Sequence, residues 1–429
     1  MRNLSIGVMF LMVAAERDAP ACGGLFCDQS TVTQPPEQSS ERIVFVANPA
    51  DWTVPPEGMI VDTGDPPDLD IPAGTLTTDV YVEIAYEGAA ESFAWVVPLL
   101  EPPVLIGTAS KEIFDDLDLA TAPRFTFIYG GVFAQADGGG GFGCGADSEA
   151  SAGGSEPAYT DPEVTVLSYE RVGPYQVAVI ESDDSGALRD WLLLNGYQIP
   201  PMAAALLDTY VSEGKVFAAF RLADGKGVGA IEPVVIRVPG NEPCIPLRLT
   251  PIASVPVLSV TALVFGEGRA RATNYGQASV DYDAVRPTSP TSSDYSLQLR
   301  AAATKLGGRA FETEFAGWSD SVPATAHATQ ALLARGGFVT RLSARIAPGE
   351  MTLDPIFEIT DQHDQVFADH VVDITGDDEA IEALGVSASG GTEGEGEGMA
   401  CASAGRPLMP LWPLWSLLGI ALILRPRRR

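Results

Sequence analysis

The chain has 429 residues, 46% of them hydrophobic, a folding composition with room for two average domains or one large composite one. Its 57 acidic and 26 basic side chains leave a net charge of -31. That field repels a phosphate backbone and argues against nucleic acid as a partner.

Residues 1–21 read as a secretory signal peptide. Arg2 precedes an apolar run over 4–15, too short to cross a bilayer, and Ala19 and Ala21 suit a signal peptidase. Cleavage there makes Cys22 the mature N-terminus. Residues 22–135 are expected to form a β-rich lobe, with β-branched and aromatic runs at 41–47, 79–86 and 93–97. Ser110 caps an expected helix that carries Ile113, Phe114, Leu117 and Ala120 on one face until Pro123 stops it. Residues 136–160 hold too much glycine for a packed element and read as a surface loop.

A second lobe is expected over 161–384. Residues 164–169 and 175–180 pair around Gly173-Pro174, and Leu188, Trp191, Leu192 and Asn195 share a helix face before Gly196. Leu206, Leu207, Tyr210 and Val211 stripe a second helix between Pro201 and Gly214. A hairpin of 216–222 with 231–238 across Asp224-Gly225 follows, and β character continues over 255–265, 338–345, 356–359 and 365–372. The expected fold class is α+β, mostly antiparallel sheets with a few short helices in two lobes.

A Gly/Glu linker over 385–400 leads to Cys401 and an apolar run over 408–424, closed by Arg425, Arg427, Arg428 and Arg429. At 1.5 Å per residue such a helix spans about 26 Å, slightly short of the hydrocarbon core. The basic end would stay on the cytoplasmic side. Between 22 and 401 the balance sharpens to 19 basic against 55 acidic side chains, a surface suited to solubility and attractive to cations.

Five cysteines divide into Cys22, Cys27, Cys144 and Cys244 in the body and Cys401 in the tail. An even body count in an exported chain points to disulfides, and three connectivities are open. Cys22 with Cys27 and Cys144 with Cys244 is the preferred pairing. The first closes a small loop through Gly23 and Gly24; the second ties the glycine-rich loop to a strand and is worth about 4.7 kcal/mol on the chain-entropy model. Spacing disfavours a four-cysteine zinc site.

Acid-base work would fall to carboxylates or to His327, His363 and His370. On a straight strand, His363 and His370 lie on opposite faces about 23 Å apart, too far for one metal, and both read as exposed edge residues. Ser212 and Lys215 fit SxxK spacing, but Gly214 ends a helix where that chemistry needs the serine to open one. Gly138, Gly140 and Gly143 fit GxGxxG without the strand and helix of a phosphate cradle. Asp62, Asp65, Asp68 and Asp70 offer calcium oxygens, yet lack the alternation of calcium loops and read as a solvated acidic turn. Trp52, Trp95, Trp191 and Trp318 are candidates for stacking on sugars; Trp95 and Trp191 lie in apolar runs and read as core. No HExxH, GxSxG or EF-hand pattern occurs, so no catalytic residue, metal ligand or cofactor is assigned.

The tail from Cys401 to Arg429 resembles the C-terminal sorting signals of myxobacterial surface proteins, where a Cys precedes a hydrophobic helix and an Arg cluster. The resemblance implies removal of the helix and makes Cys401 a processing and lipidation candidate; a retained membrane helix is the alternative. Residues 21–27 (Ala-Cys-Gly-Gly-Leu-Phe-Cys), Gly173-Pro174-Tyr175, Trp191-Leu-Leu-Leu-Asn-Gly-Tyr197 with Ile199-Pro200, and Pro243-Cys-Ile-Pro-Leu-Arg-Leu-Thr250 resemble the uncharacterised bacterial family called domain of unknown function 2330. That likeness covers about 22–373 and implies an exported envelope protein without assigning chemistry. The expected protein is a non-enzymatic structural or ligand-binding module at the cell envelope or surface. Its C-terminus anchors it to the membrane, and calcium or basic envelope partners would suit its surface. The alternative is a carboxylate-dependent hydrolase acting on envelope polysaccharide or peptide.

Overall fold

The computed structural model describes residues 37–60, 71–87, 94–130, 132–135, 161–197, 201–223, 230–252 and 254–386. The expected leader, the glycine-rich 136–160 and the tail lie outside them. The chain enters with β1 (Glu37–Asn48), β2 (Met59–Ile60), β3 (Thr77–Glu87), β4 (Ala94–Leu99) and β5 (Leu105–Ala109), then α1 (Glu112–Thr121), β6 (Arg124–Tyr129) and β7 (Val132–Gln135). Next come β8 (Thr165–Val172), β9 (Tyr175–Glu181), α2 (Ser185–Leu194), α3 (Pro201–Ser212), β10 (Val216–Leu222), β11 (Val234–Pro239) and β12 (Ser254–Gly266). Short strands β13 (Ala270–Ala272), β14 (Gly276–Gln277), β15 (Pro287–Ser289) and β16 (Ser292–Ser293) precede α4 (Tyr295–Thr304) and β17 (Ala310–Trp318). The described chain ends through α5 (His327–Ala334), β18 (Phe338–Ile346), β19 (Phe357–Ile359), β20 (Asp369–Asp373) and α6 (Asp378–Ala383).

Two sheets carry the architecture. A nine-stranded sheet runs β14-β17-β18-β12-β1-β3-β11-β5-β2, and a four-stranded one runs β4-β10-β9-β8. Pairing is antiparallel except for β1 with β12 and β14 with β17 in the large sheet. Both sheets combine strands from either side of 136–160, so neither half of the chain completes either sheet alone. The α+β class holds, with mainly antiparallel sheets and short helices.

Alternation along each strand explains the layering. On the large sheet, Ile43, Phe45, Val82, Ile236, Val260, Ala262 and Val264 face inward to Val177, Val179, Ala218 and Phe220 of the small sheet. The opposite face, with Val44, Val46, Tyr81, Val235 and Leu263, packs on Ile113, Phe114 and Leu117 of α1 and Leu332 of α5. The outer face of the small sheet, with Ala178, Ile180, Phe217 and Ala219, packs on Leu188, Trp191 and Leu192 of α2 and Leu207 and Tyr210 of α3. The order is helix, sheet, sheet, helix. A smaller cluster around Phe125, Phe127, Val280, Leu299 and Val372 joins α4 and α6 to the three-stranded β20-β6-β7 sheet.

Local expectations fare unevenly. Ser110 starts α1, its Oγ accepting from Glu112 N at 3.3 Å, and Ile113, Phe114, Leu117 and Ala120 are buried as the spacing requires. The β8–β9 hairpin turns at Gly173, whose φ of 52° and position, where a Cβ would meet Thr108 Cγ2 at 2.7 Å, both require glycine. The expected hairpin of 216–222 with 231–238 is corrected: β10 lies between β4 and β9, while β11 lies between β3 and β5 in the other sheet. Both strands are apolar on both faces, so each takes two neighbours within its own sheet. Among the described residues no helix is long and apolar enough to cross a membrane; the 408–424 run lies outside them.

One polar pair is wholly enclosed. Arg237 of β11 sits directly opposite Asp79 of β3, and its guanidinium donates to both carboxylate oxygens at 2.5 and 2.8 Å, with neither side chain exposed. Asp79→Asn leaves that cation without its counter-charge and is expected to cost about 3–5 kcal/mol, read from the urea midpoint. The joint change Asp79→Leu with Arg237→Met should recover most of the loss.

Candidate functional site

A cavity of about 100 Å³ lies between the sheets where β4 forms the free edge of the small one. Val80, Val82, Ile236 and Val238 form one wall, Trp95, Val97 and Leu99 the other, and Pro243 to Pro246 close the side. Its size suits a short aliphatic group, being smaller than the apolar cavity of about 150 Å³ that takes up benzene. The 243–246 segment is tied to 355–357: Ile245 N donates to Pro355 O at 3.1 Å and Phe357 N to Pro243 O at 2.8 Å. Pro243 and Pro246 bring no backbone donor, so this side of the cavity carries few unmet hydrogen-bonding groups.

The mouth is polar. Lys215, Glu242, Cys244 and Asp354 border both the apolar cavity and a neighbouring, more open hollow. Asp354 receives Tyr210 O–H at 2.9 Å, Arg248 N at 3.0 Å and Arg248 Nε at 2.9 Å. Arg248 also grips Glu213 with both terminal nitrogens at 2.7 Å and lies 4.2 Å above the Tyr210 ring. The Arg248 hydrogen bonds hold the Glu213 carboxyl below its ordinary range. The Tyr210 hydroxyl is raised by burial and then by the nearby Asp354 charge. Burial, with Asp354 adding to it, pushes the Cys244 thiol up to about 12, so it stays protonated at neutral pH and is a poor nucleophile.

The motifs noted in the sequence fall into distinct roles. Within 243–250, Pro243 to Pro246 line the cavity, Leu247 and Leu249 anchor in the core and Arg248 builds the mouth. In 191–197, Trp191 and Tyr197 are core, and Asn195 Nδ2 donates to Trp191 O at 2.9 Å, closing α2. Tyr175 reaches across to residue 232, donating to Glu232 O at 2.6 Å and accepting Glu232 N at 2.9 Å.

Of the candidate cysteines, Cys244 makes no disulfide among the described residues, while its expected partner Cys144, with Cys22, Cys27 and Cys401, lies outside them. So do Asp62, Asp65, Asp68 and Asp70, and Gly138, Gly140 and Gly143. Ser212 ends α3, its Oγ donating to Thr209 O at 2.7 Å, and only Lys215 of that pair borders the cavity. Trp95 packs on Phe220 and Trp191 is enclosed, as expected of core residues. Residues 363–370 do not form one straight strand, because β20 starts at Asp369. His363 is exposed and stacks on Trp318. His370 departs from the exposed expectation: it is half-buried, stacked 3.9 Å from Tyr282, and burial lowers its basicity.

Sequence reasoning passed over β17, which carries a second polar centre. Glu314, at a bulge, accepts from Arg341 Nε and Ser343 Oγ at 2.6 Å and from Tyr295 O–H at 2.7 Å. Glu312 accepts from Val280 N and Tyr282 O–H at 3.2 Å, yet burial outweighs these bonds and pushes its carboxyl up to about 7. Its strand signal was the run Phe311, Thr313, Phe315, interrupted by charges that turn out to face inward.

Two stacked sheets flanked by helices, with an apolar cavity at the seam and an arginine-centred cluster at its mouth, define an α+β sandwich protein with an internal cavity. The family model described as "Uncharacterized protein conserved in bacteria (DUF2330)" matches residues 75–358, well over half of the chain, and the protein belongs to that family. Apart from Glu41 and Ile43, every residue lining the cavity falls inside the match. No curated protein and no solved structure matches the chain.

Glu312 also sets a pH dependence. Its folded value near 7 lies above the 4.5 of the free side chain, so the bound proton stabilises the fold at low pH. That contribution is lost as pH rises through this window. Glu312→Gln keeps the neutral form at every pH. Its melting temperature relative to the parent protein should therefore be higher at about pH 8 than at about pH 5.

Proposed function

We propose that the protein is an exported, envelope-anchored binding module that takes the apolar part of a small ligand into the cavity between its sheets. The cavity itself carries this reading: mostly apolar side chains from both sheets enclose it, with Glu41 the charged residue of its far wall and the other charged groups gathered at the mouth. The leader-like 1–21 and the Cys401-to-Arg429 tail support placement at the cell envelope. Such a module needs no covalent chemistry, and the Cys244 thiol, held protonated, offers none at neutral pH. The hydrolase alternative draws on Glu312, whose raised carboxyl suits a general acid. Both of its oxygens, however, are engaged by Val280 and Tyr282.

Two measurements test the proposal. Short neutral alkanols titrated into the purified protein should perturb the NMR signals of Val80, Val97 and Ile236 saturably. Val238→Trp, which fills the half-buried rim of the cavity, should weaken that binding by about tenfold or more with an unchanged urea midpoint. Mass spectrometry of the protein isolated from its native envelope should find Cys22 at the N-terminus and a tail ending at or modified on Cys401. An intact, full-length cytosolic product would contradict export.

A further inference from the structure

We propose that the ligand is an amphipathic anion, a short-chain carboxylate whose head is received by Lys215 while its tail fills the cavity. This rests on the binding-module reading above and adds the chemistry of the head group. Lys215 follows the Gly214 turn, whose φ of 69° closes α3, and is half-buried where the apolar cavity meets the polar hollow. Its ammonium makes no hydrogen bond or ion pair among the described residues, none lying within 4.0 Å of a carboxylate there.

The other groups at the mouth are committed. Arg248 holds Glu213 and Asp354, and the Tyr210 hydroxyl is spent on Asp354. The Cys244 thiol is neutral. Among the described residues no carboxylate lies within hydrogen-bonding reach of the Lys215 ammonium, so an anionic head seated beside the apolar wall would gain a direct charge contact that a neutral head lacks. Glu242, the other mouth group without a partner among the described residues, is exposed and already hydrated, so pairing it with a ligand cation gains little. Glu41 lines the far part of the cavity and would favour an amine instead, which gives the test its opposing arm.

Hexanoate, hexan-1-ol and hexylamine share one tail and differ in the head. Titrated into the full-length protein at neutral pH and physiological salt, hexanoate should bind about tenfold more tightly than hexan-1-ol, and hexylamine more weakly than either. Lys215→Gln should bring hexanoate down to the affinity of the alcohol, and Lys215→Arg should keep most of the preference. Alcohol binding without a carboxylate preference, a preference for the amine, or a hexanoate affinity untouched by Lys215→Gln each overturns the head assignment and leaves the cavity reading intact. Absence of binding by all three overturns both.

Discussion

Arg237 and Asp79 face one another across β11 and β3 with no access to solvent, and their contact fixes how those two strands register. The guanidinium also donates to Trp52 O at 3.2 Å, and Arg335, beyond the end of α5, bonds Glu57 and Asn48 beside it at 3.0 and 2.5 Å. One end of the large sheet, the 52–57 segment and the α5 terminus are thus held by one charge network. Because side chains alternate, the same register turns Val80, Val82, Ile236 and Val238 to the opposite face, where they wall the cavity. A slip of one residue would put the charges into the cavity and the apolar row under the helices, exposing unpaired ions to a dry interior.

The charge balance takes on a different meaning in the folded chain. Basic residues are scarce, and several are drawn inward and shared by two or more acids: Arg42 by Glu83, Asp115 and Asp118; Arg341 by Asp118 and Glu314; Arg248 by Glu213 and Asp354. Arg suits this task because its planar fork binds carboxylates from more than one side and remains charged when enclosed. In each of these clusters the acids outnumber the guanidinium that holds them, so the scarce cations are placed where they offset the most repulsion. Against that background, Lys215, half-buried and without an ion pair among the described residues, stands apart from the arginines around it.

What the sequence disclosed follows from what each residue does locally. Runs such as 79–86 and 175–180 announce strands because β-branched residues alternate or persist there, and the stripe on α1 is legible because its cap and its Pro123 stop are local. Partnership is not local. β1 lies parallel to β12 across some two hundred residues, and β10 and β11, neighbours in sequence, enter different sheets; the one charge that marks the partner of β11, Arg237, is answered by Asp79, 158 residues earlier. Arg237, Glu312 and Glu314 carry no local sign of burial, since a charged residue is buried only when a distant partner arrives. The likeness at 243–250 marked the right segment, but its place as a cavity wall depends on 353–357, about a hundred residues further on.

The cavity itself follows from a mismatch in width. Nine strands face four, so much of the inner surface of the large sheet needs another cover. Ile245, Leu247, Ala270, Tyr275, Met351 and Phe357 supply it from irregular segments and from the short β13–β19 pair. The two covers meet beside β4. There the edge strand exposes ladder groups that would recruit another strand, unless something blocks them. The proline-bearing 243–246 segment runs beside that edge while its own pairing goes to 355–357, and so it lines the gap between the covers without extending the small sheet. A seam between two covers, walled by side chains that already have their partners, stays open because closing it would require breaking one set of contacts to improve another.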